Sequence, residues 1–235
     1  MRLLERREPE RHIIWHSWLL RNELLYLFAL ADTRGRETKE GGRAEDVLHL
    51  WRSTAAEEKC LHGPYPFAND QARYLFYQDK LSSLSYTPRE DCKCTVTMMS
   101  GVPASGKDTW LAIHRPGLPA VSLDELRKEL GIAAAGGQGT LIQAARERCR
   151  VHLRAGQNFA FNATNLNRQT RQRWLSLFAD YGARIEIVYL EEPLDVLLKR
   201  NRQRPDPVPE RVIKSLLDKA EPPTWAETHF CSLII

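Results

Sequence analysis

Residues 100–109 read Ser-Gly-Val-Pro-Ala-Ser-Gly-Lys-Asp-Thr, a Gly-x-x-x-x-Gly-Lys spacing suited to holding a polyphosphate. Gly101 and Gly106 permit backbone angles that turn several N–H groups toward one point, while Val102, Pro103, Ala104 and Ser105 complete the turn between them. Lys107 adds a cation able to neutralise the β- and γ-phosphates of a nucleotide such as ATP. Asp108 stands where Ser or Thr ordinarily offers a hydroxyl to Mg²⁺, and Thr109 follows it. A carboxylate so close to triphosphate is repelled unless a cation lies between them, so Asp108 reads as a direct or water-mediated Mg²⁺ ligand. The alternative gives that role to Thr109 and leaves Asp108 as a helix cap.

Three further segments carry candidate chemistry. In Ala120-Val121-Ser122-Leu123-Asp124-Glu125-Leu126-Arg127 an acid sits where a strand passes into a helix, and the carboxyl ends of parallel strands share one crevice. Asp124 can therefore face Lys107 and accept a hydroxyl proton, or it can simply cap the helix. Arg127, three residues on, shares its helix face and suits an anionic group on the acceptor. Residues 199–209, Lys-Arg-Asn-Arg-Gln-Arg-Pro-Asp-Pro-Val-Pro, end a basic helix, with Arg200 and Arg204 spaced to point together over a transferring phosphoryl group. Arg202 points elsewhere, and a solvated helix end is the alternative for each of them. The third segment, residues 159–167, reads Phe-Ala-Phe-Asn-Ala-Thr-Asn-Leu-Asn and lacks the acid that often supplies a second metal contact in nucleotide-binding ATPases. Thr164 and Asn165 can orient acceptor or nucleotide, and Arg171, with Arg168 and Arg173, either contacts a substrate backbone or forms a solvated face. Arg146, Arg148, Arg150 and Arg154 receive no specific role.

Such residues need strands that end along one edge. β-type runs at Thr95–Met99, Ala120–Leu123, Asn158–Asn162 and Arg184–Leu190 alternate with helical patterns at 106–114, 124–130, 138–154, 168–181 and 193–203. That alternation predicts an α/β fold, a parallel sheet covered by helices, over residues 91–235. Residues 1–90 read as mainly helical. One buried helix covers 13–31, a Gly-rich charged connection covers 32–44, a second helix runs from 44 to 60, and a short one spans 69–77. Residues 78–91 form the connection between the two parts.

The chain has 235 residues, enough for a sizeable core, and 34 basic against 30 acidic residues leave a net charge of +4 that permits an anionic partner without demanding one. Five cysteines without a Cys-x-x-Cys pair suggest neither a disulfide framework nor a zinc ribbon, and a reducing cytoplasm fits them. Met1–Glu8 lacks the apolar core of a signal peptide, and no run reaches the ~18–20 apolar residues that span a bilayer. Secretion and a membrane partner are therefore not expected.

With these motifs assembled, residues 94–220 resemble the polynucleotide 5′-hydroxyl kinase family of P-loop phosphotransferases, through Gly-Val-Pro-Ala-Ser-Gly-Lys, Ser-Leu-Asp-Glu-Leu-Arg, Ala-Thr-Asn-Leu-Asn and Arg-Asn-Arg-Gln-Arg. The resemblance implies ATP- and Mg²⁺-dependent phosphorylation of the 5′-hydroxyl end of RNA or DNA, in nucleic-acid repair. It implies Asp124 as the general base, Arg127 gripping the neighbouring substrate phosphate, and Arg200 and Arg204 on the ATP phosphates. Asp108 departs from the family's Ser or Thr, as does Ala163 from an acid that some members carry. A kinase for a small-molecule hydroxyl and a nucleotide-switched nucleic-acid-binding module are the alternative functions. Nearer the N-terminus, Ala29-Leu30-Ala31-Asp32-Thr33-Arg34-Gly35-Arg36 is similar to the last helix of HD-type metal phosphohydrolases, and residues 63–77 to the connector of bacterial HD-kinase fusions. No His-Asp dipeptide occurs in the chain, so residues 1–90 read as a remnant of an HD-type domain plus connector. His12 and His16 share a helix face, for which packing is favoured over metal binding.

Overall fold

The structure, a computed structural model, describes residues 9–36, 41–132 and 136–235, which divide into compact units of residues 1–88 and 89–235. The sequence readings of Met1–Glu8, and of residues 37–40 within the 32–44 connection, lie outside the described residues.

The first unit is helical: α1 (Pro9–Ser17), α2 (Asn22–Arg34), α3 (Gly41–Glu57) and α4 (Asp70–Tyr77). The single helix expected over 13–31 is two. The chain turns at 18–21, and the cause is tertiary: Asn22, fully buried, donates its side-chain amide to the carbonyls of Ile13 (3.2 Å) and Cys60 (2.8 Å). Buried amides require such partners, and these can be reached only if the chain reverses before Asn22. Ile13, Ile14, Tyr26, Trp51, Ala55 and Phe76 share the core around this turn. His16 Nδ1 lies 2.7 Å from the His12 carbonyl and its ring packs edge-on to Trp15. Asp32 is exposed and paired with Arg36.

The second unit is an α/β fold with a five-stranded parallel sheet in the order β2-β3-β1-β4-β5, flanked by helices. Its strands are β1 (Thr95–Ser100), β2 (Ala120–Ser122), β3 (Phe159–Asn162), β4 (Arg184–Leu190) and β5 (Phe230–Ile234). Its helices are α5 (Lys107–His114), α6 (Leu123–Glu129), α7 (Gln138–Arg154), α8 (Arg168–Asp180), α9 (Leu194–Arg202) and α10 (Glu210–Leu217). β1 and β3 are buried almost throughout, as strands covered on both faces must be. Phe161 lies 4.2 Å from Trp174 of α8 between ring centroids, so β3 and α8 lock together. β5 and α10 are additions to the predicted elements. α10 buries Ile213 in a cluster with Val102, Leu166, Tyr189 and Leu197, which anchors the loop after β1 to α9. The register sets Met99, Ser122 and Asn162 side by side at the carboxyl edge, where open α/β sheets bind ligands. No helix among the described residues is long and apolar enough to cross a membrane.

Candidate active site

The loop after β1 is shaped by close approach. A Cβ on Gly101, whose φ is +154°, would lie 2.6 Å from Ser105 Oγ and 2.8 Å from the Leu190 carbonyl, so only glycine fits. Ala104 takes the left-handed conformation at φ +68°, which costs an alanine about 1–2 kcal/mol and bends the loop toward α5. Gly106 (φ +94°) precedes α5 and supplies no side-chain cap, leaving the first-turn N–H groups without intrahelical partners. Lys107 Nζ donates to the carbonyls of Gly101 and Val102, both at 3.0 Å. Burial, aided by Arg204, lowers its ammonium to about 8, against the opposing pull of Asp108 and Asp124. A desolvated cation of this kind gains strongly from a phosphate anion.

These features line one cleft of about 530 Å³. Pro103, Ala104, Gly106, Lys107, Asp108 and Thr109 form one wall, and Asp124, Arg127, Thr164, Arg200 and Arg204 are brought to it from other elements. Gly101, Val102 and Ser105 frame the loop without lining the cleft; Val102 and Ser105 are buried. Ser122 caps α6 by accepting the Glu125 N–H at 3.3 Å, so Asp124 is not the cap. Its carboxylate is exposed in the cleft and has no hydrogen bond or ion pair among the described residues. Arg127 donates to Gln138 Oε1 at 3.2 Å. Arg200 is held by Glu192 at 2.8 Å, and a Cβ on Gly106 would sit 3.7 Å from its Nη1, which puts the guanidinium over the phosphate loop. Asn201 exchanges two hydrogen bonds with the backbone of Val208, fixing the proline-rich segment that follows α9. Arg202 turns away to Glu210. An exposed pair between Lys128 and Asp206 (2.9 Å) links α6 to that segment.

Two expected substrate contacts lie elsewhere. Arg171 is fully buried, its Nε and Nη2 pair bidentately with Glu227 (2.8 and 3.0 Å), and its Nη1 donates to the carbonyls of Asn165, Leu166 and Glu221. It is a structural strut because every donor edge is already turned inward. Asn165 is also buried; its amide donates to the Met99 carbonyl at 2.8 Å and its own carbonyl accepts from Ser100, so it braces the ends of β1 and β3. Three arginines of α7 are matched by acids, Arg148 by Glu129 and both Arg150 and Arg154 by Glu147. Asn162, Ser122 and Gln138 also line the cleft and were not anticipated. Asn162 donates its amide to Asp108 Oδ1. That contact was legible only as a coincidence of two departures, an acid after Gly-Lys and none at the end of β3.

Asp108 and Thr109 offer exposed oxygen donors beside Lys107, the hard ligand type that Mg²⁺ takes together with phosphates. The loop, its lysine and the open α5 amides likewise fit a nucleotide polyphosphate.

Residues 96–223 match the AAA domain family. The chain belongs to it. Within this AAA domain the Gly-x-x-x-x-Gly-Lys loop leaves β1 at the carboxyl edge of the parallel sheet and leads into α5. Similar solved structures include a chain of the Pnkp1/Rnl/Hen1 RNA repair complex, at 18% identity over 59% of this chain and 46% of that one, with a TM-score of 0.49. A sugar kinase from Janibacter sp. HTCC2649 matches at 18% identity over 60% and 84%, with a TM-score of 0.46. A gluconokinase from Sinorhizobium meliloti 1021 matches at 19% over 54% and 75%, with a TM-score of 0.39.

Proposed function

We propose that the AAA domain is an ATP-dependent kinase for the 5′-hydroxyl end of RNA or DNA, acting in nucleic-acid repair. The observation that carries this reading is the pairing of Asp124 and Arg127 on α6, both lining the cleft that also holds the phosphate loop. A base and an anion grip three residues apart suit an acceptor whose hydroxyl neighbours a phosphate. Asp124 takes the proton from the hydroxyl as its oxygen attacks the terminal phosphorus of ATP in line, and the bond to the departing ADP oxygen breaks. Lys107 and the α5 amides hold the phosphates, and Arg200 with Arg204 offset charge on the transferring group. Asp108 or Thr109 would hold Mg²⁺, which would further neutralise the phosphate oxygens. Within the same reading residues 1–90 are a remnant of an HD-type domain and its connector, supported by the likeness of residues 29–36 and 63–77.

The test is transfer from γ-labelled ATP to 5′-hydroxyl RNA and DNA oligonucleotides, with gluconate and nucleosides as competing acceptors. Label on the oligonucleotide, abolished in Lys107→Ala and Asp124→Ala, is the expected result. Label on a small hydroxyl compound alone identifies a small-molecule kinase, and ATP binding with no transfer identifies a nucleotide-switched binding module; either overturns the proposal.

A further inference from the structure

In P-loop nucleotide enzymes the metal is ordinarily held by a loop Ser or Thr hydroxyl and a strand-end aspartate. Here the loop position is Asp108, and the strand-end residue is Asn162, the last of β3 and aligned with Met99 of β1. The two side chains touch: the Asn162 amide donates to Asp108 Oδ1. Each arrangement contains one carboxylate and one neutral polar group, with their positions exchanged.

We propose that the metal-binding carboxylate of this site has been transposed from the sheet edge to the phosphate loop, with Asp108 as the ligand and Asn162 as the residue that positions it. The proposal rests on the reading of the cleft as a phosphoryl-transfer site and specifies its metal coordination.

Three physical points support it. Asp108 lies in the first turn of α5, where the open N–H groups favour an anion, so the loop tolerates the charge before nucleotide arrives. A triphosphate entering the same loop meets that charge at close range, and a divalent cation between them converts repulsion into shared coordination. Asn162 is buried, with 8% of its surface exposed, and its amide occupies one carboxylate oxygen. Asp108 Oδ2 has no hydrogen-bond partner among the described residues and remains for the metal. An aspartate at position 162 would place a second negative charge against the first, which explains why the strand end is neutral when the loop is acidic.

The transposition predicts that the exchange can be reversed. Mn²⁺ binding is measured by electron paramagnetic resonance with the full chain and the non-hydrolysable ATP analogue adenylyl imidodiphosphate, alongside the thermal unfolding midpoint. Asp108→Thr and Asp108→Asn are each expected to weaken nucleotide-dependent Mn²⁺ binding at least tenfold. Asn162→Asp alone is expected to weaken analogue binding at least tenfold through the paired carboxylates. The double variant Asp108→Thr with Asn162→Asp, which recreates the ordinary arrangement, is expected to return within about threefold of the starting protein. Binding unchanged in Asp108→Asn, which keeps the side chain's size and removes only its charge, overturns the assignment. A double variant with an unaltered unfolding midpoint but no recovery overturns the transposition. Wild-type protein that takes up no Mn²⁺ with the analogue overturns both this inference and the kinase reading. Mn²⁺ uptake without transfer to any oligonucleotide sinks only the acceptor assignment.

Discussion

The start of α8 and the end of α9 each carry three arginines within a few residues, and in sequence they look alike. Arg171 at the start of α8 is buried against Glu227 and three carbonyls. At the end of α9, Arg200 and Arg204 line the cleft while Arg202 pairs with Glu210 on the outside. The difference lies in what stands opposite. α8 follows a loop that packs beneath the 221–227 segment, so the donors of Arg171 are consumed by backbone and by one buried acid. The last turn of α9 meets the phosphate loop, whose own amides and lysine leave room for an anion. A basic run therefore carries no functional meaning until the surface it faces is known.

The largest expected effect that sharpens this contrast is at Arg204. Arg204→Ala should lower the transfer rate about a thousandfold, the scale at which arginines stabilise phosphoryl transfer, while leaving the unfolding midpoint within about 1 °C. Single-turnover kinetics beside calorimetry measures both, and a midpoint that falls with the rate would place Arg204 in the same class as Arg171.

Arg171 should behave in the opposite way. Arg171→Met leaves the Glu227 carboxylate buried without its partner, and breaking such a pair costs about 3–5 kcal/mol. The unfolding midpoint should drop sharply, and the second change Glu227→Leu should recover much of the loss because both charges are then gone. If Arg171→Met kept its stability and lost oligonucleotide binding, the contrast between the two helices would break.

A third expectation links the α9 end to the loop through charge. The ammonium of Lys107 is lowered to about 8 by burial and by Arg204, and a bound phosphate raises it again, so nucleotide binding takes up a proton in this range. Affinity is accordingly full below pH 8 and falls as pH rises above it, by up to about tenfold per unit until the pKa of the bound state is reached. Titration of a fluorescent ATP analogue from pH 6.5 to 9.5 should show that break, and Arg204→Ala should move it upward. A flat profile would mean that Lys107 does not meet the phosphates.

The parts of the molecule that could be read from sequence are those whose chemistry is local. The phosphate loop, the Asp124 and Arg127 pair, and four of the five strands depend on neighbours within about ten residues. The break between α1 and α2 depends on Asn22 reaching Cys60, 38 residues away, and no periodicity within 13–31 encodes it. β5 is an edge strand entered through Thr228 and His229, whose bonds to Ile185 on β4 set its start. Its residues alone form a short apolar tail. Arg171 belongs with these: its partner Glu227 lies 56 residues downstream, so spacing along α8 could suggest an exposed face but not a buried pair. Asn162 and Asp108 are 54 residues apart, so the sequence shows an acid in the loop and none in residues 159–167 but not that these two side chains meet.

The smallest expected effect tests the least conspicuous arginine. Arg202 lies two residues from both Arg200 and Arg204, yet helical spacing turns it about half a turn away, and its guanidinium meets Glu210 at 2.9 Å with the two side chains 69% and 44% exposed. Exposed pairs of this kind are worth about 0–1 kcal/mol because water and salt screen them. Arg202→Ala should change the transfer rate less than twofold and the unfolding midpoint by no more than a few degrees. If instead its rate fell as far as that of Arg204→Ala, the basic run would be acting through its summed charge. Arg200 and Arg204 at the cleft and Arg202 in solvent would then act alike.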